Sequence, residues 1–256
     1  MDWHNKAINP NQNRTIMNIV PQHHWDNGYN NFFIQKATDN DPITQLIKNN
    51  IPLAKVNQQA FEIGCFPGRF LCILGDLGYV LNGVDTTPYI EKFQTSLNAL
   101  GYQTNKFEHK NFEKIQRVKY DVVASFGFIE HFTNWNEVIK IHTEFVNKNG
   151  YIIITTPNFK GVFQYIYHRI FDNDNLKRHV VSSMSPKKWK AELEKSGLEV
   201  ISFGYTGFGF WDESNKISLF YRVAKKATTL LFKCIDKIKP NHSSIASYCY
   251  VIAKTI

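Results

Sequence analysis

Hydrophobic positions along the chain change period repeatedly, and each change marks an element. DPITQLIKNNI reads as a helix, with Asp41 as its N-cap and Pro42 at the first helical position. QAFEI, residues 59–63, predicts a strand, and RFLCILGDLG continues at helical spacing until Gly78 closes it. YVLNGVD predicts a second strand, followed by a helix from Thr87-Pro88 to Gly101. TNKFEH is a weaker third strand and KYDVVASF a strongly apolar fourth. NWNEVIKIHTEFVNKNG sets Val138, Ile141, His142 and Phe145 on one helical face and stops at Gly150. GYIIITT then predicts a fifth strand, buried on both faces. Strands and helices alternating at βαβ spacing predict an α/β fold, with a doubly wound, mostly parallel sheet and right-handed crossovers.

After Pro157 the alternation stops. The stretch from Phe159 to Val180 is aromatic, basic and too long for a simple connection, which predicts a cap over a site, bounded at 159–184. Ser185-Pro186 opens another helix, and LEVISFGY is a sixth strand. Ile217 to Ile238 is a long amphipathic helix, and SYCYVIAK closes the sheet as a seventh strand. The expected division is an N-terminal arm and lid helix over 1–40, then one domain over 41–256.

Composition narrows the class without naming a function. The chain has 256 residues, 43% hydrophobic and 20% charged, enough for one globular core. Its net charge of +8 admits an acidic partner, whether nucleic acid, phosphorylated metabolite or anionic membrane. The basic residues of KKWKAELEK and of Arg222 to Lys239 sit on helical patterns, where a solvated face is the plainer reading. Cys65, Cys72, Cys234 and Cys249 form no CxxC pair and no zinc spacing. With no signal-like apolar core and no membrane-length run, the expectation is a reduced, cytoplasmic protein.

The chemistry concentrates at FEIGCFPGRF, residues 61–70, a loop between a strand and a helix. A dinucleotide fingerprint needs glycines at 64, 66 and 69, where the chain has Gly64, Phe66 and Arg69. A Walker A loop fails as well, for want of Gly-Lys-Ser/Thr. The same residues resemble motif I of the class I S-adenosylmethionine-dependent methyltransferases, through Glu62, Gly64 and Gly68, with Phe66 as a departure. GVD ends the second strand on Asp85, about 20 residues beyond the loop, where a carboxylate accepts both ribose hydroxyls. HKNFEKI falls where the family binds adenine, which gives that role to Asn111 and Phe112. YDVVASFGFIEHF resembles its fourth strand with a Glu-His ending, and NKNGYIIITTPNF its fifth. The match covers about Gln58 to Phe159 in order and spacing.

The resemblance implies a Rossmann-like, seven-stranded methyltransferase fold with a cap after the fifth strand, and S-adenosylmethionine as cofactor. Its expected cofactor residues are Glu62, Gly64, Cys65, Phe66, Gly68, Asp85, Thr86, Asn111, Phe112, Ser125, Phe126, and the lid residues Trp25 and Tyr29. The Glu-His ending and the Thr-Pro-Asn tip look most like the small-molecule branch, which implies O-methylation of a sugar or phosphorylated glycan precursor. His131 and His179 are the candidate bases, with an ordinary pKa near 6.5 suited to the work. Asn158, Tyr165, His168 and Arg178 are the expected substrate residues. The other readings are a quinone-precursor methyltransferase, a non-catalytic subunit of the same fold, and an RNA methyltransferase supported only by charge. No carboxylate cluster for magnesium is visible, so no metal is expected, and nucleic acid is not an expected partner. Monomer and homodimer are both open. In the long C-terminal helix, Phe220, Val223, Ala227, Leu231, Cys234 and Ile238 form an apolar stripe for which core packing is the default, with weak membrane contact as the alternative.

Overall fold

The structure, a computed structural model, describes residues 16–28, 33–34, 36–209, 219–238 and 241–256. Seven strands make one sheet: β1 (Gln59–Ile63), β2 (Val80–Asp85), β3 (Thr104–His109), β4 (Tyr120–Phe126), β5 (Val146–Pro157), β6 (Leu198–Phe208) and β7 (Ala246–Thr255). Their order is β3-β2-β1-β4-β5-β7-β6. The first five pair in parallel, while β7 runs antiparallel to both β5 and β6. The order reverses between β1 and β4, so a crevice opens beyond their carboxyl ends.

Both faces of the sheet are covered, which is why its central strands are apolar on both sides. On one face Ala60, Val122, Ala124 and Ile153 pack with α2 (Pro42–Asn50), α3 (Leu71–Asp76) and α4 (Ile90–Ala99). On the other, Phe61, Ile63, Val123 and Ile152 meet α5 (Trp135–Phe145) and α8 (Pro186–Lys195). The Asp41 cap forms as expected: Ile43 N–H donates to its Oδ1 at 2.9 Å. Its Oδ2 takes the guanidinium of Arg69 at 2.8 Å, which ties the end of the glycine loop to α2.

Two boundaries differ from expectation. The helix α5 ends at Phe145 and not at Gly150, because VNKNG already belongs to β5. There the register against β4 shifts, and Thr255 Oγ1 donates to Asn147 O and accepts from Gly150 N–H. The strand β6 runs on to Phe208, paired with β7 as far as Ala246.

The remaining elements lie outside this sheet and its covering helices. A short helix, α1 (Gln22–Gly28), precedes the sheet, and residues 159–184 carry α6 (Val162–Phe171), α7 (Asn173–Lys177) and a 3-10 turn, Val181–Ser183. Val180 N–H donates to Glu130 O at 2.7 Å and fastens this segment to the end of β4. A long helix, α9 (Leu219–Ile238), lies between β6 and β7 in sequence. Among the described residues, no helix is long and apolar enough to cross a membrane.

Candidate active site

The glycine loop turns sharply because Gly64 and Gly68 adopt φ of 71° and 75°, where L side chains are strained. Gly64 N–H donates to Val84 O at 2.9 Å, holding the loop beside β2. Phe66 points away from the crevice floor into the α4 side of the core, with ring centroids 5.4 Å from Phe93 and 6.3 Å from Tyr89. A Cβ on Gly68 would collide with the Phe93 ring, so the apolar packing of Phe66 and the glycine at 68 go together.

Asp85 clamps this turn to the start of the next helix. Phe66 N–H donates to Asp85 Oδ2 at 3.1 Å and Thr87 N–H to Oδ1 at 2.9 Å. The Thr86 amide also pulls on this carboxylate, so of its about four lone-pair sites one remains for a further donor. Burial pushes the carboxyl up to about 6, against the pull of the amides of Phe66, Thr87 and Thr86. Thr86 is held by α1: its Oγ1 donates to Gln22 Oε1 at 2.7 Å, and Gln22 Nε2 donates to Thr86 O at 3.3 Å.

Two small depressions meet here. One, of about 70 Å³, is lined by Trp25, Gly64, Phe66, Asp85, Gly127 and His131 among others. The other, of about 40 Å³, adds Lys110 and Phe112. Gly64, Asp85, Thr86 and Phe128 line both. Pockets for ligands of cofactor size span roughly 300–1,000 Å³, so each depression by itself is smaller than such a ligand needs. The Phe128 ring lies where a Cβ on Gly64 would stand, and it packs edge-on to Phe112 at 5.3 Å.

Next to these depressions the end of β4 meets residues 178–180. The rings of His131 and His179 lie 4.8 Å apart, and Trp25 reaches within 5.0 Å of His131. His131 Nδ1–H donates to Arg178 O at 2.9 Å, and His179 Nδ1–H to Asn175 O at 2.7 Å. Carbonyls only accept, so in each neutral ring Nε2 keeps its lone pair. The ordinary pKa expected for these histidines is corrected downward: burial lowers His131 to about 4 and His179 to about 3. Beside them Glu130 is buried with neither carboxyl oxygen hydrogen-bonded, and burial raises it to about 8. Donor atoms of Glu130, His131 and His179 all lie within 4.8 Å of one another.

Several expected site residues are placed elsewhere. Ser125 Oγ lies 2.9 Å from His142 Nε2 in the buried α5 packing, which removes it from the crevice. Phe126 packs at a tilt against Phe70, 5.1 Å between ring centres. The Cys65 sulfur is buried against Gly83, leaving its backbone alone for a ligand. Asn111 caps its own 3-10 turn, accepting from Glu113 N–H at 2.8 Å. Asn158 is a correction: its amide donates to Ser243 O and Ala246 O at 2.8 and 2.9 Å, which leaves no donor for a substrate. Tyr165 stands exposed on α6 and lines neither depression. His168 is buried under α6 against Phe159, 3.9 Å between rings, and lines neither depression. Arg178 contributes its carbonyl to His131 and its guanidinium to Asn175 Oδ1. Glu62 is buried with Oε2 unpartnered and its carboxyl raised well above the ordinary value by burial and by Asp85. Tyr29 lies outside the described residues.

Against known families, the model described as methyltransferase domain matches residues 37–203. This chain belongs to that family. No curated protein matches it in sequence. Among solved structures, it is similar to an S-adenosylmethionine-dependent methyltransferase from Archaeoglobus fulgidus, at 20% identity and TM-score 0.54, covering 83% of this chain and 93% of that one. It is similar to the magnesium protoporphyrin IX methyltransferase of Synechocystis PCC 6803 with bound S-adenosylhomocysteine, at 14% identity and TM-score 0.55, covering 84% and 80%. A third is the geranyl diphosphate C-methyltransferase of Streptomyces coelicolor A3(2), at 11% identity and TM-score 0.55, covering 84% and 75%. At these identities the likeness is one of fold, the seven-stranded class I methyltransferase sheet.

The methyltransferase is thus of the S-adenosylmethionine-dependent class, and its crevice suits that cofactor. Gly64 lines the crevice beneath the Phe128 ring, and the Asp85 carboxylate retains acceptor capacity at the end of β2. Sequence reading missed Glu130, Gly127 and Phe128. Glu130 stood inside the quoted Glu-His ending, so the signal was present, whereas nothing local marks Phe128 as the ring over Gly64.

Proposed function

We propose that this methyltransferase transfers a methyl group to a hydroxyl oxygen of a small acceptor, a sugar or phosphorylated glycan precursor. The observation that carries the reading is the buried imidazole pair, whose Nδ1–H groups are committed to backbone carbonyls while each Nε2 keeps a lone pair. In this reading Glu62, Gly64 and Gly68, with the backbone of Cys65 and Phe66, hold the amino-acid end of S-adenosylmethionine. Asp85 and Thr86 hold the ribose, Asn111 and Phe112 the adenine, and Trp25 closes over it. The bound cofactor supplies a methyl carbon activated by a sulfonium.

The chain supplies alignment and proton transfer. His131 receives the acceptor's hydroxyl proton at Nε2, and His179 orients that hydroxyl. A ring lowered to about 4 is a weak base on its own. A phosphorylated acceptor brings negative charge into the cap and raises its proton affinity, which favours an anionic acceptor over a neutral quinone precursor. The polar groups around the pair, Glu130 and Arg178, suit a hydroxylated ligand better than an apolar ring. Residues 159–184 act as the substrate cap, residues 1–40 as arm and lid, and 41–256 as the catalytic domain.

The test is methyl transfer from labelled S-adenosylmethionine to nucleotide sugars and phosphosugars, with catechols, hydroquinones and RNA as competitors. The expected product is an O-methyl sugar, with a 10²–10⁴-fold loss in His131→Gln. Transfer to phenols or RNA alone refutes the reading.

A further inference from the structure

Within the apolar stripe of α9, Val223, Ala227, Leu231 and Cys234 do not pack in the core, while the side chains of Phe220 and Ile238 lie outside the described residues. Tyr221 is buried, edge-on to Phe171 of α6 at 5.3 Å, and Ala224, Thr228 and Ile235 are half-buried on the same side. Turned away from them are Val223, Ala227, Leu230, Leu231 and Cys234, all exposed, with Leu230 at 66% and Val223 at 59%. The core-packing expectation is corrected for Val223, Ala227, Leu231 and Cys234. Arg222, Lys226, Lys233 and Lys237 follow at i+4, i+11 and i+15 from Arg222 and form a third, basic sector beside the apolar one. The helix holds five basic residues and one acidic residue. A surface groove of about 460 Å³ runs along its basic side, lined by Arg222, Lys225, Lys226 and Lys233.

The cap helix α6 repeats the inversion. Its polar residues Gln164 and His168 are buried, while Val162, Ile166 and Ile170, spaced i, i+4, i+8, face outward at 59%, 49% and 59% exposure. The Phe171–Tyr221 contact joins the end of α6 to the start of α9, so the two exposed apolar rows belong to neighbouring helices.

We infer that α9 and α6 dock this protein onto an anionic membrane surface, with their apolar rows set into the headgroup boundary and the α9 lysines on lipid phosphates. A helix of 20 residues is about 30 Å long, and an apolar sector flanked by lysines is the pattern of helices lying in the interface plane. Charge complementarity selects this occupant. Two copies meeting through α9 would bring their basic rows together, whereas an anionic leaflet attracts them. Because α6 belongs to the cap, docking through both helices sets the cap beside the bilayer. This inference stands whether or not the acceptor is a sugar.

The test is co-sedimentation of the full chain with vesicles of phosphatidylcholine alone or mixed with phosphatidylglycerol. Binding is expected to the mixed vesicles, to weaken with added salt, and to fall about fivefold per charge removed in Lys226→Glu and Lys233→Glu. Leu230→Ser with Leu231→Ser is expected to reduce binding at least tenfold, while circular dichroism and S-adenosylmethionine binding stay at wild-type levels. Absence of binding to the mixed vesicles overturns the inference. So does a dimer, seen by sedimentation velocity, that the leucine variants dissociate, because the face would then belong to a second copy.

Discussion

Glu130→Gln is expected to stabilise the protein, and by an amount that depends on pH. Glu130 is buried, neither oxygen has a hydrogen-bond partner, and burial raises its pKa to about 8 from an ordinary 4.5. A carboxyl raised in the folded state contributes stability that is fully present below pH 4.5 and is lost as pH rises through 8. The complete loss is about 5 kcal/mol, and about 3 kcal/mol of it has accrued by pH 7. Glutamine matches the shape of the protonated acid and does not titrate, so the variant avoids this loss. At roughly 2–4 °C per kcal/mol for a chain of this size, its melting temperature at pH 7 should exceed wild type by roughly 6–12 °C. At pH 4 the two should melt together. Thermal denaturation followed by circular dichroism across this range checks it. A constant difference between pH 4 and pH 8, or a less stable glutamine variant at pH 8, would refute the reasoning, because Glu130 would then have a partner for its charge.

The other expectations follow from the same site. Asp85→Ala should abolish S-adenosylmethionine binding by calorimetry, and wild-type affinity should fall as pH drops below about 6, where the carboxyl protonates; affinity unchanged at pH 5 would remove Asp85 from the cofactor. Gly68→Ala should lower stability by about 2–4 kcal/mol, from its left-handed φ and overpacking against Phe93, as read in urea denaturation. Chelation with EDTA should leave methyl transfer unchanged if Glu130, His131 and His179 act by moving protons. Loss of activity restored by manganese or zinc would make these three side chains metal ligands instead.

The fold was legible because its signals are local. QAFEI, YVLNGVD, TNKFEH and KYDVVASF carry strand periodicity within themselves, and βαβ spacing leaves few topologies open. The α5 boundary failed because VNKNG has no strand pattern of its own; Thr255, more than a hundred residues away, holds it in β5. The cofactor turn was legible for a similar reason, since Gly64, Gly68 and Asp85 sit at fixed offsets around one strand-turn-helix unit. Arg69, which fits no glycine pattern, is explained only by Asp41 across the fold.

The amino-acid sequence by itself determined the sheet, its order of elements and the turn that bends around a cofactor, since propensity and periodicity act over a few neighbouring residues. Only the tertiary structure decided which polar groups remain without partners and which apolar faces remain uncovered. Asn158 and Ser125 bond into the core, Glu130 and the imidazole pair converge at the end of β4, and Val223, Leu230 and Leu231 of α9 turn outward. Burial and pairing depend on what distant segments bring alongside, and no local pattern contains that information.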